Sequence, residues 1–281
     1  MNAVSAGRPR FRATIEYDGS RFAGWQIQPA GRTVQGTVEA ALARLFAGAT
    51  RVAAAGRTDT GVHATAQEIL LGAPPRWEAD ELRRALGAVL PEDVRVVTIG
   101  PAAPEFHPRF SATGRRYEYY VARGPDGTSP LRAGRVWRLG GEPDTETLRR
   151  VSALLLGAGD FAALSRSGQP ERGTGCTVER AEWLVTPAGD LRFVVVADRF
   201  LHRMVRYLVA VMLDVATGRR APDEVRALLA GGDGVRPPRP APPDGLYLTG
   251  VRYRDGWNRA PGVPGLWPLR GRADAPPRAA P

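Results

Sequence analysis

Two spacings of hydrophobic positions alternate along the first third of the chain. Period-two alternation with strand-forming residues predicts strands at residues 11–17, 51–55, 67–71 and 94–99. A helical stripe follows Thr33, a good N-cap residue, and runs to about Gly48. A second helix is predicted at about residues 82–89 and ends before Pro91.

The same two spacings return in the rest of the chain. Strands are predicted at residues 116–121, 178–186, 191–197 and 246–253. Helices are predicted at residues 147–156, 199–217 and 223–229, with Asp198 as the N-cap of the long one. The order of elements indicates a mixed α+β fold with two α/β halves of mostly antiparallel strands that can share one sheet.

This order divides the chain into an N-terminal half at residues 10–105 and a C-terminal half at residues 106–255. Residues 256–281 are rich in proline and glycine and predict a loose tail. Residues 234–245 contain five prolines, so they cannot join a sheet or a helix, and we expect a surface loop there.

The amino-acid composition indicates what kind of partner the protein binds. The 281 residues include 39 basic and 29 acidic side chains, a formal net charge of +10. Every one of the basic residues is Arg, whose planar guanidinium suits phosphates and base edges. A polyanion is therefore the first partner to consider.

Several classes of protein are excluded by what the sequence lacks. The longest apolar run, residues 207–213, is far shorter than the roughly 20 residues of a membrane span. The first residues lack the apolar stretch of a signal peptide. One Cys and three scattered His give neither a disulfide nor zinc-ligand spacing, and no phosphate-binding glycine loop is present. We expect a cytoplasmic protein that uses no metal and no cofactor.

The loop at residues 55–64 is the most informative segment. Asp59 lies between Gly56 and Gly61, which permit sharp turns and close approach of a ligand. Loops that leave strands often carry catalytic side chains, but Asp in such a turn also commonly bonds its own backbone. The triplet Asp-Thr-Gly also occurs in aspartic proteases, which need two facing carboxylates, and this chain has the triplet once.

Two further stretches interleave aromatic residues with cations. The mixture in residues 106–120 suits base stacking and phosphate contact. We assign Tyr119 to the core, whereas the sequence alone does not decide whether Tyr117 stacks on a base or packs in the core. Residues 198–206 place three arginines and His202 at the predicted start of the long helix. Phosphate binding and a solvated basic face both explain that charge, and His202 has either a structural or a functional role.

These stretches occur together, in this order, in a known family. The chain resembles the tRNA pseudouridine synthase A family, and the string Gly-Arg-Thr-Asp-x-Gly-Val-His at residues 56–63 is the most specific match. The matching segments cover residues 15 to 253 almost throughout. They are residues 15–20, 24–26, 33–35, 55–63, 90–93, 106–117, 160–161, 200–206 and 245–248.

The resemblance implies a fold, a reaction and an assembly. It implies two α/β halves joined along a basic central cleft and a homodimer that binds the anticodon arm of tRNA. The implied reaction isomerises uridine to pseudouridine at positions 38, 39 and 40 of tRNA. No cofactor is implied, because uracil stays in the pocket while it detaches, turns and rejoins the sugar.

The resemblance also implies roles for individual residues. Asp59 is the essential carboxylate, Arg206 its ion-pair partner, Tyr117 the base-stacking ring and Arg57 the group that fills the space of the flipped base. Leu246 lies near the target base. Further substrate contacts are expected from residues of the same stretches, namely His63, His107, Arg109, Arg116, His202 and Arg203.

The chain departs from the family pattern at a few positions. Residues 87–89 lack two frequent asparagines, Arg203 stands where His or Asn is frequent, and residues 172–182 fit poorly. These departures affect the grip on RNA rather than the chemistry. They leave open a module that binds tRNA without modifying it, although Asp59, Tyr117 and Arg206 argue for an enzyme.

Overall fold

One sheet connects the two halves of the chain. The computed structural model describes residues 8–123, 129–166, 173–231, 234–259 and 263. Within these ranges the sheet has eleven strands. They are β1 (Arg10–Tyr17), β2 (Ala53–Ala54), β3 (His63–Gly72), β4 (Val94–Pro101), β5 (Gly114–Ala122), β6 (Trp137–Arg138), β7 (Gly157–Asp160), β8 (Gly175–Val185), β9 (Leu191–Ala197), β10 (Leu246–Tyr253) and β11 (Gly256–Trp257).

The main strands lie in the order β4-β1-β3-β10-β5-β9-β8-β7, with β2, β6 and β11 paired beside them. The β3–β10 and β5–β6 pairs are parallel, and the other pairings are antiparallel. The predicted α+β fold with a mostly antiparallel sheet is confirmed. Strand β10 comes late in the sequence, yet it lies between β3 and β5 and thereby joins the two halves. The division at residue 105 falls between β4 and β5 and stays a prediction.

Five α-helices lie in the described ranges, and their apolar sides cover the sheet. They are α1 (Val34–Phe46), α2 (Ala79–Val89), α3 (Thr145–Ala153), α4 (Met204–Ala216) and α5 (Pro222–Leu229). Thr33 caps α1 as predicted, because its Oγ1 accepts a hydrogen bond of 3.2 Å from the Gly36 amide. None of these helices is long and apolar enough to cross a membrane.

The hydrophobic interior forms two main clusters, one for each half. Leu42 and Leu82 belong to the N-terminal cluster, with α1 and α2. Leu148 and Leu208 belong to the C-terminal cluster, with α3 and α4. Tyr117 packs against both clusters. This residue therefore lies at the junction of the halves, while Tyr119 is fully buried, as predicted.

The predicted start of the long helix is wrong. Helix α4 begins at Met204, because Arg203 has a φ of 62° and cannot continue a right-handed helix. Residues 201–204 instead form a turn closed by the Met204 amide and the Leu201 carbonyl, 3.1 Å apart. Asp198 caps no helix: its Oδ1 accepts from the amides of Thr177 and Arg199, each at 2.8 Å.

The proline-rich segment is also more than a surface loop. Ala241 is buried, and its amide donates to the Arg206 carbonyl at 3.0 Å. In the predicted tail, residues 256–257 form β11, and the Asn258 side chain bonds Glu68 at 2.7 Å. The sheet therefore extends past the predicted end of the C-terminal half. Residues 260–262 and 264–281 lie outside the described residues.

Candidate active site

A cleft of about 1290 Å³ opens where the two halves meet. Its walls come from both halves: the loop at residues 55–60, the segment at 107–115 and the segment at 198–206. Leu246 at the start of β10 completes the lining. The sheet thus brings together three stretches that are far apart in the sequence.

Hydrogen bonds to the N-terminal half hold the loop that carries Asp59. The Thr58 carbonyl accepts from the Trp25 amide at 3.0 Å, and the Thr58 hydroxyl lies 2.8 Å from that of Tyr17. Gly61 has a φ of 79°, a conformation that glycine adopts without strain. These contacts fix the backbone of the loop, and the Asp59 carboxylate faces the C-terminal half.

Two basic side chains of the C-terminal half lie against the Asp59 carboxylate. The Arg206 Nη1 donates to Oδ2 at 3.2 Å, and the His202 Nε2 lies 3.4 Å from Oδ1. Asp59 and Arg206 are both mostly buried, so water screens this ion pair only in part. A carboxylate between an arginine and a histidine differs from an aspartic protease site, where two carboxylates face each other.

The Arg206 guanidinium is oriented by the proline-rich segment. Its Nε donates to the Ala241 carbonyl at 2.6 Å, while the Ala241 amide bonds the Arg206 carbonyl. One residue thus holds both the backbone and the side chain of Arg206, and Nη1 stays directed at Asp59. The sequence gives no signal for this contact, because proline-rich segments are usually solvated.

Tyr117 on β5 presents a half-buried ring to the cleft. The ring packs edge-on against Phe200, with centroids 5.0 Å apart. Burial raises the pKa of the Tyr117 hydroxyl, and the nearby Asp59 charge raises it further. The hydroxyl is therefore neutral at physiological pH. Leu248 lies opposite Tyr117 across the β5–β10 pair, two residues from Leu246.

Most of the other predicted contact residues also line the cleft. Arg57 is exposed at its mouth, and His202 and Arg203 lie on the opposite wall. The His107 Nδ1 accepts hydrogen bonds from the amides of Arg109 and Phe110, at 3.1 and 3.3 Å. Burial and nearby arginines lower the pKa of His107. The neutral imidazole thus stabilises the loop that carries Arg109 by accepting hydrogen bonds from its backbone.

Two predicted contact residues do not lie in the cleft. His63 is buried and stacks on Tyr247, with centroids 4.5 Å apart, while its Nδ1 accepts from the Gly19 amide at 3.0 Å. Arg116 alternates with Tyr117 on β5, so it points to the opposite face of the sheet. There it donates to the Thr249 hydroxyl at 3.1 Å. The structure therefore gives neither residue access to a substrate in the cleft.

The sequence reasoning missed two residues of the cleft. Phe200 supports the Tyr117 ring, and Arg115 donates to backbone carbonyls around the cleft. Alternation along β5 was an available signal for Arg115, because residues 115 and 117 share one face.

No cluster of three or more His, Cys, Asp or Glu side chains suited to a metal ion occurs among the residues that the structure describes. Cys176 is buried, and burial raises the pKa of its thiol to about 11. The thiol is thus uncharged at neutral pH and a poor nucleophile.

Comparison with known proteins decides the family. A family model described as tRNA pseudouridine synthase matches residues 13–111 and 151–254, well over half of the chain. The chain belongs to the tRNA pseudouridine synthase family. The matched regions contain the loop at residues 55–60, the segment at 198–206 and the first part of the segment at 107–115. The predicted family is confirmed. The family comprises isomerases that act on uridine in tRNA, so the predicted enzyme class is confirmed as well.

Curated relatives within this family align over most of their length. A tRNA pseudouridine synthase A from Solidesulfovibrio magneticus is 40% identical over 95% of this chain and 96% of its own. The synthase of that name from Neisseria gonorrhoeae is 39% identical over 89% of this chain and 94% of its own. One from Myxococcus xanthus is 38% identical over 88% and 93%.

Proposed function

We propose that this tRNA pseudouridine synthase modifies the anticodon arm, at positions 38, 39 and 40 of tRNA, and that Asp59 is its essential carboxylate. The observation that carries the proposal is the Asp59–Arg206 ion pair, which lies in an Arg-lined cleft beside the Tyr117 ring. The guanidinium places a positive charge beside the carboxylate that we assign to the reaction.

The reaction breaks the bond between N1 of uracil and C1′ of the sugar and forms one between C5 and C1′. The C5 proton is lost and N1 gains a proton, so the product is an isomer and no second substrate is consumed. Asp59 can attack C1′, attack the base or remove a sugar proton. All three routes need an ionised Asp59 close to the target nucleotide.

The cleft supplies the other requirements. A paired uridine must be flipped out before its glycosidic bond can be reached. We propose that Arg57 fills the vacated space, that Tyr117 stacks on the extruded uracil and that Leu246 packs beside it. His107, Arg109, His202 and Arg203 line the same cleft, where their side chains can contact the flanking backbone and bases.

We propose in addition that the enzyme acts in the cytoplasm as a homodimer, without metal or cofactor. The net charge of +10 supports contact with a large polyanion, and an Arg-rich surface needs no metal to neutralise phosphates. Size-exclusion chromatography with light scattering tests the dimer, and activity after dialysis against a chelator tests the metal.

Mapping of pseudouridine in unmodified tRNA transcripts tests the reaction and its sites. We expect new pseudouridine at positions 38, 39 and 40 and nowhere else. Modification of another arm would contradict the anticodon-arm proposal but not the family.

Asp59→Asn tests the role of the carboxylate. The variant should form no detectable pseudouridine, yet its affinity for tRNA should stay near that of the wild type, because one carboxylate matters little among many phosphate contacts. Filter binding and single-turnover assays at the same salt concentration measure both. Turnover by the variant would reject Asp59 as the essential group; a wild type that binds tRNA without modifying it would indicate a binding module.

A further inference from the structure

The Arg115 guanidinium lies where three backbone segments of the cleft meet. Its Nη1 donates to the Asp198 carbonyl at 2.8 Å, and its Nη2 donates to the Arg109 carbonyl at 2.9 Å. Longer bonds reach the carbonyls of Ala112 at 3.4 Å and Ala55 at 3.3 Å. One planar group thus connects the N-terminal half to two loops of the C-terminal half.

Each of these segments leads to a residue of the proposed active site. Ala55 directly precedes the loop that carries Asp59. Asp198 begins the segment that continues to His202 and Arg206. The position of Arg115 between them therefore affects the distance between the carboxylate and its cation, although Arg115 contacts neither side chain in these bonds.

Carbonyl oxygens, rather than a carboxylate, accept these four hydrogen bonds. The Asp198 carboxylate accepts from two backbone amides instead. Burial lowers the pKa of Arg115, which is the expected effect of removing a cation from water. A flat guanidinium with five N–H groups can serve several carbonyls in one plane, whereas a Lys ammonium offers three donors from a single point.

We infer that Arg115 is a positioning residue, which sets the separation of the Asp59 loop and the Arg206 helix and thereby the geometry of the reaction. This inference rests on the proposed function of Asp59 and Arg206. It assigns Arg115 no contact with the target base; its effect is transmitted through the backbone of residues 55 and 198.

The neighbouring residue provides a matched control. Arg116 is also buried on β5, and it also donates to a backbone carbonyl, that of Thr249 at 2.6 Å. It faces away from the cleft, so Arg116→Met removes a comparable cation without touching the cleft segments. Both substitutions cost stability, and only Arg115→Met should affect the chemical step.

We would measure three quantities for Arg115→Met, Arg115→Lys, Arg116→Met and the wild type. They are the single-turnover rate at saturating enzyme, the Kd for tRNA and amide hydrogen exchange without RNA. For Arg115→Met we expect a rate about 100-fold below that of the wild type, since a displacement of about 1 Å can have that effect. Its Kd should stay within about threefold of the wild-type value, because the phosphate-binding surface remains.

Hydrogen exchange should rise in peptides that cover residues 53–62 and 198–206 of Arg115→Met, but not in those of Arg116→Met. Arg115→Lys should recover part of the single-turnover rate. If Arg115→Met does not fold, Arg115→Lys should still fold and so allow the measurement. A normal single-turnover rate in folded Arg115→Lys and Arg115→Met would overturn the inference, as would an equal loss in Arg116→Met. Inactivity of the wild type on tRNA would reject the proposed function instead, and the exchange data would still report on the link between the segments.

Discussion

At the scale of single residues, the proposed carboxylate has two basic neighbours that differ in burial. Arg206 is 12% exposed and its guanidinium is always charged, while the His202 side chain is 48% exposed and its imidazole is charged only when protonated. The lasting electrostatic support of Asp59 therefore comes from Arg206.

Substitution of Arg206 should separate charge from geometry. Arg206→Leu removes both, and we expect the single-turnover rate to fall by about 100-fold or more. Arg206→Lys keeps the charge but cannot bond Ala241 and Asp59 with one planar group, so it should retain more activity than Leu and less than Arg. Equal rates for Lys and Arg would contradict the geometric role.

A control for this series is available in the short connection that follows the same helix. Arg220 pairs with Glu224 at 2.7 Å and with Asp214 at 3.4 Å, outside the cleft. Arg220→Leu should lower the melting temperature slightly and leave the rate of the folded enzyme unchanged.

Tyr117 should show separable effects of ring and hydroxyl. Tyr117→Phe keeps the stacking surface, whereas Tyr117→Leu loses it, at a cost of about 1–3 kcal/mol in binding of the flipped base. Because the pKa of the hydroxyl is raised, the hydroxyl stays protonated, and the ratio of wild-type to Phe rates should be constant from about pH 6 to 9. Rates and melting temperatures measured together check this. If the activity of Tyr117→Leu fell only in proportion to its folded fraction, the ring would have a structural role in the core and would not stack on the target base.

Sequence patterns predicted these residues unevenly. The need of Arg206 for a distant carboxylate could be anticipated, because no acidic side chain lies three or four residues from it while the helix beyond it is apolar. The choice of Asp59 as that carboxylate came from the family resemblance. The orientation of Arg116 could also be predicted from the sequence. Side chains alternate between the two faces of a strand, so Arg116 and Tyr117 on β5 lie on opposite faces of the sheet. The burial of His63 could not be predicted from local sequence, because the ring that stacks on it, that of Tyr247, is far away in the sequence.

At the scale of elements, the loop that carries Asp59 packs against the proline-rich segment. A Cβ added at Gly61 would lie 2.8 Å from the Pro243 Cγ, and the residue also has a positive φ. Gly61→Ala should therefore lower the free energy of unfolding by about 1–3 kcal/mol. Gly56 is the control, because a Cβ there meets nothing within 4 Å. Urea unfolding of both variants measures the difference, and equal losses would show that Pro243 does not support the loop.

Elements with strong local patterns could be predicted, and elements defined by distant partners could not. Helix α1 has a capping Thr and a regular apolar stripe, and its start at Val34 is correct. The short strands β6 and β7 were missed, since backbone pairing with β5 and β8 defines them. The start of α4 was misplaced because a positive φ at Arg203 is rare for arginine and leaves no trace in periodicity.

At the scale of the whole molecule, buried tyrosines predict a loss of stability in alkali. Burial raises the pKa of six of the seven tyrosines, which are Tyr17, Tyr117, Tyr119, Tyr120, Tyr247 and Tyr253. In the unfolded chain they ionise near pH 10, whereas in the folded protein they keep their protons to higher pH. Above about pH 10 the unfolded state therefore binds fewer protons, and the free energy of unfolding falls as pH rises.

Each unit by which a tyrosine pKa is raised contributes up to about 1.4 kcal/mol to this dependence. Urea unfolding at pH 8, 10 and 11, with tyrosinate absorbance as a second signal, should show the folded protein resisting ionisation until it unfolds. Titration of these six tyrosines near pH 10 in the folded state would contradict the burial of their side chains.

The position of β10 has a consequence for how the chain is made. A ribosome synthesises β3 and β5 long before it reaches residues 246–253, so each of these strands has an unpaired edge until β10 has been made. Pairings this distant in sequence also form slowly. A nonsense or frameshift mutation just upstream of β10 would therefore leave most of the protein's mass synthesised but its two half-sheets unjoined, a product suited to aggregation or proteolysis rather than to partial activity.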